Sequence, residues 1–154
     1  MIRDVLRYPD ARLKAPAAEA TGDLDGLIAD LVDTMRSFGR CVGIAAPQIG
    51  VDARVCVVDC TDHPKAPGAS GLLVLVNPVL TLGLQTAIGR EGCLSIPDLT
   101  GNVRRALDVT VAGGVTATGF EARAIQHEVD HLDGLLFLDR VVSASDVFAR
   151  KARA

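Results

Sequence analysis

The sequence predicts an α+β fold: short strands, mixed or antiparallel, around one central helix, with an amphipathic helix nearer the N-terminus and a short helix at the C-terminus. Three observations lead there. Apolar residues recur at helical spacing in two internal stretches. Between and after these lie short β-branched or apolar runs bounded by Gly, Pro and Asn. No repeat or linker interrupts the 154 residues, about the length of one domain, so a single domain over 1–154 is expected.

Composition restricts the core and the partners. Residues are 49% hydrophobic but only 3% aromatic, with no Trp, so the core must be built from Val, Leu, Ile and Ala. A net charge of −3 provides no global basic field to hold nucleic acid or an anionic membrane, and neither is expected as a partner. The first twenty residues carry charges and prolines where an export signal needs an apolar run. The longest apolar run, 72–76, is too short to span a bilayer. A cytoplasmic location is therefore expected. Cys41, Cys56, Cys60 and Cys93 then read as reduced thiols or ligands rather than a disulfide framework.

Residues 1–22, with Pro9 and Pro16, read as an extended arm. Leu24, Leu27, Ile28, Leu31, Val32 and Met35 follow a helical repeat, with Asp23 placed to cap it. Residues 39–50 read as a loop of small side chains that lets backbone approach a ligand, with Gln48 as its polar group. Segments 54–60, 72–77 and 79–84 read as strands, and His63, between the first two, as a solvated loop residue. Segment 90–98 is too rich in turn formers for ordinary strand. Residues 103–111 resume one, Gly113-Gly114 makes a tight turn, and 115–117 returns into the central helix. After that helix, 135–142 is expected to be a strand and 143–154 a short helix.

The central helix carries the chemistry. Ala122, Ile125, Val129 and Leu132 form one apolar face, Thr118 and Glu121 have the spacing of a capping box, and Gly134 supplies a left-handed stop. Within it lies His127-Glu128-Val129-Asp130-His131. Residues four apart on a helix stack on one face, so both imidazoles can share one metal ion, with Glu128 in reach of a water beside it. A third ligand must come from elsewhere, because the final histidine of the H-E-x-x-H-x-x-G-x-x-H pattern is Phe137 here. Cys93 is a candidate, its thiolate suiting zinc or ferrous iron.

Three segments together resemble the peptide deformylases. Cys41 to Gln48 matches a G-h-G-h-A-A-x-Q loop (h apolar), Glu91 to Ser95 an E-G-C-L-S segment, and Gln126 to His131 a Q-H-E-x-D-H helix. The resemblance implies that Cys93, His127 and His131 are the metal ligands and Glu128 the catalytic acid and base. Gln48 and the backbone N–H of Leu94 correspond to the groups that steady the oxyanion, and Gly43 to the residue beside the substrate backbone. Ile44, Phe120, Ala124 and the His127 ring would wall a methionine-sized pocket. The implied cofactor is one divalent ion, natively Fe(2+), with Zn(2+) or another divalent ion as substitute. The implied substrate is an N-formylmethionyl peptide, with transient ribosome contact through the C-terminal segment.

The chain departs from the family pattern at Cys41, which replaces the first glycine, at Arg123, where some relatives carry an apolar pocket residue, in a short connection over 111–119, and in a short tail. A broader metallo-amidase and a non-catalytic metal protein are the alternatives. Glu128 separates the last from the rest, because a structural site needs no base and closes with four protein ligands.

Overall fold

A computed structural model describes residues 1–150. Its elements confirm the α+β class. Helix α1 (Asp25–Ser37) arises from the predicted periodicity; Leu24 is its N-cap residue, and the Asp23 carboxylate accepts the Asp25 N–H at 3.0 Å. Leu31 and Met35 on its inner face pack against Ile44, Val55 and Val57.

Among the described residues the strands form three antiparallel sheets. The first orders β1 (Gly43–Ala45), β2 (Val55–Asp59) and β3 (Leu72–Val76). Another orders β4 (Leu80–Leu82), β7 (Asp108–Val111) and β8 (Thr116–Thr118). The remaining sheet orders β5 (Thr86–Cys93), β6 (Ile96–Ala106) and β9 (Val147–Ala149).

Helix α2 (Gly119–Leu132) crosses the middle of this assembly. Its predicted apolar face, Ala122, Ile125, Val129 and Leu132, is buried against Cys56, Val58, Leu75, Val109 and Ala117. Burying each of the larger side chains contributes roughly 1.5–3 kcal/mol. Every side chain from Ala124 to Leu132 is buried, so the helix also takes Gln126, His127, Glu128, Asp130 and His131 out of water, and these need partners. Gly134, at φ 76°, lies just beyond its end.

The N-terminal arm, extended apart from a 3-10 turn at Ala11–Lys14, reaches several parts of the fold. Leu6 N–H donates to Gln48 O, Tyr8 N–H to Ser95 O and Ala17 N–H to Leu132 O, each within 2.8 Å.

Several local expectations are corrected. Residues 39–50 are no plain loop but contain β1 and a 3-10 turn, Ala46–Ile49, because Gly43 to Ala45 pair with β2. The turn-rich segment 90–98 is the end of a long hairpin, with a bulge at Gly92/Cys93 absorbing its irregularity. The strand expected over 103–111 breaks at Leu107 into β6 and β7, which join different sheets. Segment 135–142 forms a 3-10 turn, Phe137–Asp139, and one isolated bridge from Val141 to Val103.

No C-terminal helix forms among the described residues. A 3-10 turn, Ala144–Asp146, leads into β9, because Val147 to Ala149 complete the open edge of β6; residues 151–154 of the expected helix lie outside the described residues. The capping box is also absent. Thr118 makes no side-chain cap, and the Glu121 carboxylate instead accepts the Ser70 N–H and hydroxyl, both at 2.8 Å. Among the described residues no helix is long and apolar enough to cross a membrane.

Candidate active site

His127 and His131 project from one turn of α2, their ring centroids 5.2 Å apart. The β5 bulge brings Cys93 to them: Sγ lies 3.4 Å from His131 Nε2, and ligand atoms of all three residues fall within 4.8 Å of one another. Donors sharing one ion at about 2.0–2.3 Å each have separations of this order.

A chain of buried ion pairs fixes His127. Glu91 Oε1 sits 2.8 Å from His127 Nδ1, which leaves Nε2 for the shared site. Arg105 grips Glu91 with Nε and Nη2, both at 2.9 Å, and reaches Asp130 with Nη1 at 2.6 Å. Arg140 holds Asp130 from the other side, and Arg123 donates to Glu91 at 2.8 Å. Arg105, and not its neighbour Arg104, makes the pair with Asp130, and that pair is buried; Arg104 donates to Thr86.

The electrostatics suit a cation. Burial pushes the His131 pKa well down, keeping that ring neutral with a lone pair to give. Burial also disfavours charge on His127, but Cys93 and Glu91 outweigh it and raise its pKa well above normal, so the centre draws in positive charge. Burial would raise the Glu91 carboxyl as well; Arg105 and His127 overturn this and hold it ionised.

Glu128 lies beside this centre, its carboxyl pushed up to about 7 by burial. Its Oε1 is buried without a partner among the described residues. A one-thiolate, two-imidazole donor set next to an unpaired carboxyl oxygen fits a divalent ion with a water at an open position. Gly43 packs directly on this carboxylate: a Cβ there would stand 2.7 Å from Glu128 Oε2.

Gln48 is held by both ends of its amide. Its Oε1 accepts the Ala45 N–H at 2.9 Å, and Nε2 donates to Ser95 Oγ at 3.1 Å and lies 3.5 Å from Cys93 Sγ. A cavity of about 610 Å³ opens over the centre, and Gly43, Gln48, Leu94, Phe120, Ala124 and Glu128 all line it.

Ile44 is the exception among the expected wall residues. It is fully buried in the core under α1, because β1 turns that side chain away from the cavity. Cys41 lines the cavity, its thiol donating to Gly43 O and pushed up to about 12 by burial and then Glu128, and it lies outside the three-donor cluster. His63 is outside the three-donor cluster, and rather than being fully solvated it is half-buried and stacked on Phe120 at 4.2 Å. Glu91 and Ser95 fall within a motif that assigns them no role of their own, and nothing in the sequence points to Arg140. The only signal was the position of Glu91 two residues before a candidate ligand.

A family model described as polypeptide deformylase matches residues 2–146, and so takes in all of these groups. The chain belongs to the polypeptide deformylase family. It is 43% identical to the peptide deformylase of Desulforudis audaxviator over 159 residues, covering 96% of each chain. To that of Halothermothrix orenii it is 44% identical over 143 residues, covering 87% of this chain and 88% of the other. Among solved structures, a peptide deformylase from Legionella pneumophila superposes with a TM-score of 0.81 at 36% identity, covering 94% of this chain and 88% of that one. A class I type b peptide deformylase from Acinetobacter baumannii with Met-Ala-Ser bound gives 0.78 at 35% identity, covering 92% and 99%.

Proposed function

We propose that Cys93, His127 and His131 hold the single divalent metal ion of this enzyme, Fe(2+) in its native state, and that Glu128 is the acid and base of its reaction. As a member of the deformylase family the chain removes the N-formyl group from nascent peptides, releasing formate. The observation that carries the residue assignment is the convergence of three donors from β5 and α2 beside the unpaired Glu128 Oε1. When bound, the ion lowers the pKa of a coordinated water towards about 7 and polarises the formyl oxygen.

The remaining work falls to the protein. A carboxyl poised near neutrality takes a proton from the attacking water and returns it to the departing amine, which is the role of Glu128. As the formyl carbon becomes tetrahedral, Gln48 Nε2–H and the Leu94 N–H donate to its oxyanion; losing one such donor typically costs about 100-fold in rate. The contacts of Gln48 to Ala45 and Ser95 keep that amide from rotating. Gly43 lets the substrate backbone run close to Glu128, and Phe120 and Ala124 wall the methionine side chain.

The thiolate suits ferrous iron and zinc alike, and the resemblance to the deformylases favours iron. We place the activity in the cytoplasm and in one domain over 1–154, with transient ribosome contact through the C-terminal segment, of which 151–154 lie outside the described residues. Formate release from formyl-Met-Ala-Ser, set against cleavage of unformylated Met-Ala-Ser, tests the reading. Formate should appear, stop on chelation and return with Fe(2+). Cleavage of the unformylated peptide without formate release would overturn it in favour of a peptidase.

A further inference from the structure

Arg123 lines a cavity whose neighbouring wall is Phe120, Ala124 and His127. Its side chain is 13% exposed. Three of its five N–H donors are taken: Nη1 donates to Glu91 Oε2 and Val103 O, both at 2.8 Å, and Nη2 to Ala87 O at 2.9 Å. One donor on Nε and one on Nη2 have no acceptor among the described residues. The group lies against β5 because position 89 is glycine: a Cβ there would stand 2.9 Å from Cζ and 3.0 Å from Nε. The three hydrogen bonds keep it from swinging out to water.

We propose that Arg123 is a specificity-determining residue, whose two remaining donors close the pocket for the first side chain of the formylated peptide and favour one that ends in a hydrogen-bond acceptor. This deepens the functional reading above and rests on it. A hydrocarbon side chain in this pocket cuts the two donors off from water and gives nothing in return, which is the costly case for a polar group. The thioether of methionine is a weak acceptor, whereas the oxygen of methionine sulfoxide is a strong one and wider in reach. The pocket therefore extends the substrate range to formylated peptides whose first methionine has been oxidised, and it discriminates against norleucine, which matches methionine in length but lacks any acceptor.

The test compares kcat/KM for formate release from formyl-Met-Ala-Ser and its norleucine and methionine sulfoxide analogues, using metal-loaded wild type, Arg123→Met and Gly89→Ala. Wild type should favour the sulfoxide peptide over the norleucine peptide by about tenfold or more. Arg123→Met should reverse that order, and Gly89→Ala, which keeps the guanidinium but displaces it, should shrink the ratio. Each ratio is internal to one enzyme, so a general loss of turnover from disturbing Glu91 cancels. Calorimetric binding of Met-Ala-Ser and its sulfoxide and norleucine forms gives the same ratios for a variant too slow to assay. Equal ratios in wild type and Arg123→Met would overturn the inference alone and leave Arg123 as a brace for Glu91. No formate from any of the peptides would overturn the functional reading and this inference with it.

Discussion

Oε1 of Glu91 lies 2.8 Å from Nδ1 of His127, and this contact decides which ring nitrogen His127 presents to Cys93 and His131. Partners of this kind orient a ligand and raise its basicity. Glu91→Gln should weaken metal binding about 10- to 100-fold, measured by competition with a chromogenic chelator. Unchanged affinity would show that the ring is held in place by packing alone.

Glu128 is assigned the proton transfers and no ligand role. Glu128→Gln should therefore lower formate release by about 100-fold or more while elemental analysis finds metal at the wild-type level. Wild-type turnover in this variant would remove Glu128 from the mechanism.

Gly43 borders the same carboxylate. The methyl group of Gly43→Ala would meet Glu128 Oε2 at 2.7 Å and Cγ at 2.8 Å, so the carboxylate must shift. Displacement of a catalytic group by about 1 Å costs on the order of 100-fold. The measurement is kcat on formyl-Met-Ala-Ser, and a value within twofold of wild type would mean that the carboxylate position is uncritical.

Stability should depend on pH in a direction set by these two acids. In protein stripped of metal, burial raises the Glu128 carboxyl from 4.5 to about 7. The folded state then holds more protons than the unfolded state between those values, so stability falls as pH rises through that window and the penalty is complete above it. Its upper bound is about 3 kcal/mol. Glu91 has the opposite sign. Despite its burial, Arg105 and His127 hold it well below 4.5, so its contribution is present above that pH and is lost as the pH falls through the lower folded value. Chelator-treated Glu128→Gln should melt above chelator-treated wild type at about pH 8, the gap closing towards pH 4.5. Equal melting temperatures at the higher pH would contradict the assigned burial penalty.

Arg105 is the buried cation between two carboxylates, Glu91 and Asp130, with 3% of its side chain exposed. Arg105→Met leaves both acids to the outer arginines and should cost about 3–5 kcal/mol, read from urea unfolding. A loss under 1 kcal/mol would indicate that Arg123 and Arg140 suffice.

The sequence alone determined the central helix, its buried face and the pairing of His127 with His131, because helical geometry is local and residues four apart must share a side. It also determined α1, the strands over 54–60 and 72–77, and, through three short motifs, singled out Cys93, which the fold places beside both rings. Only the tertiary structure decided the rest. Glu121 left its expected capping role because Ser70, far away in sequence, offered two donors. The expected C-terminal helix gave way to β9 because β6 had an edge to complete. Ile44 went to the core and Arg123 to the cavity because which face of a strand or helix is covered depends on what packs against it. The pairing within the Arg140–Asp130–Arg105–Glu91–His127 chain has no local signature, although Glu91 and Asp130 each sit in a motif: its charges come from separate segments, and burial, which only the folded molecule creates, is what makes them bind one another rather than water.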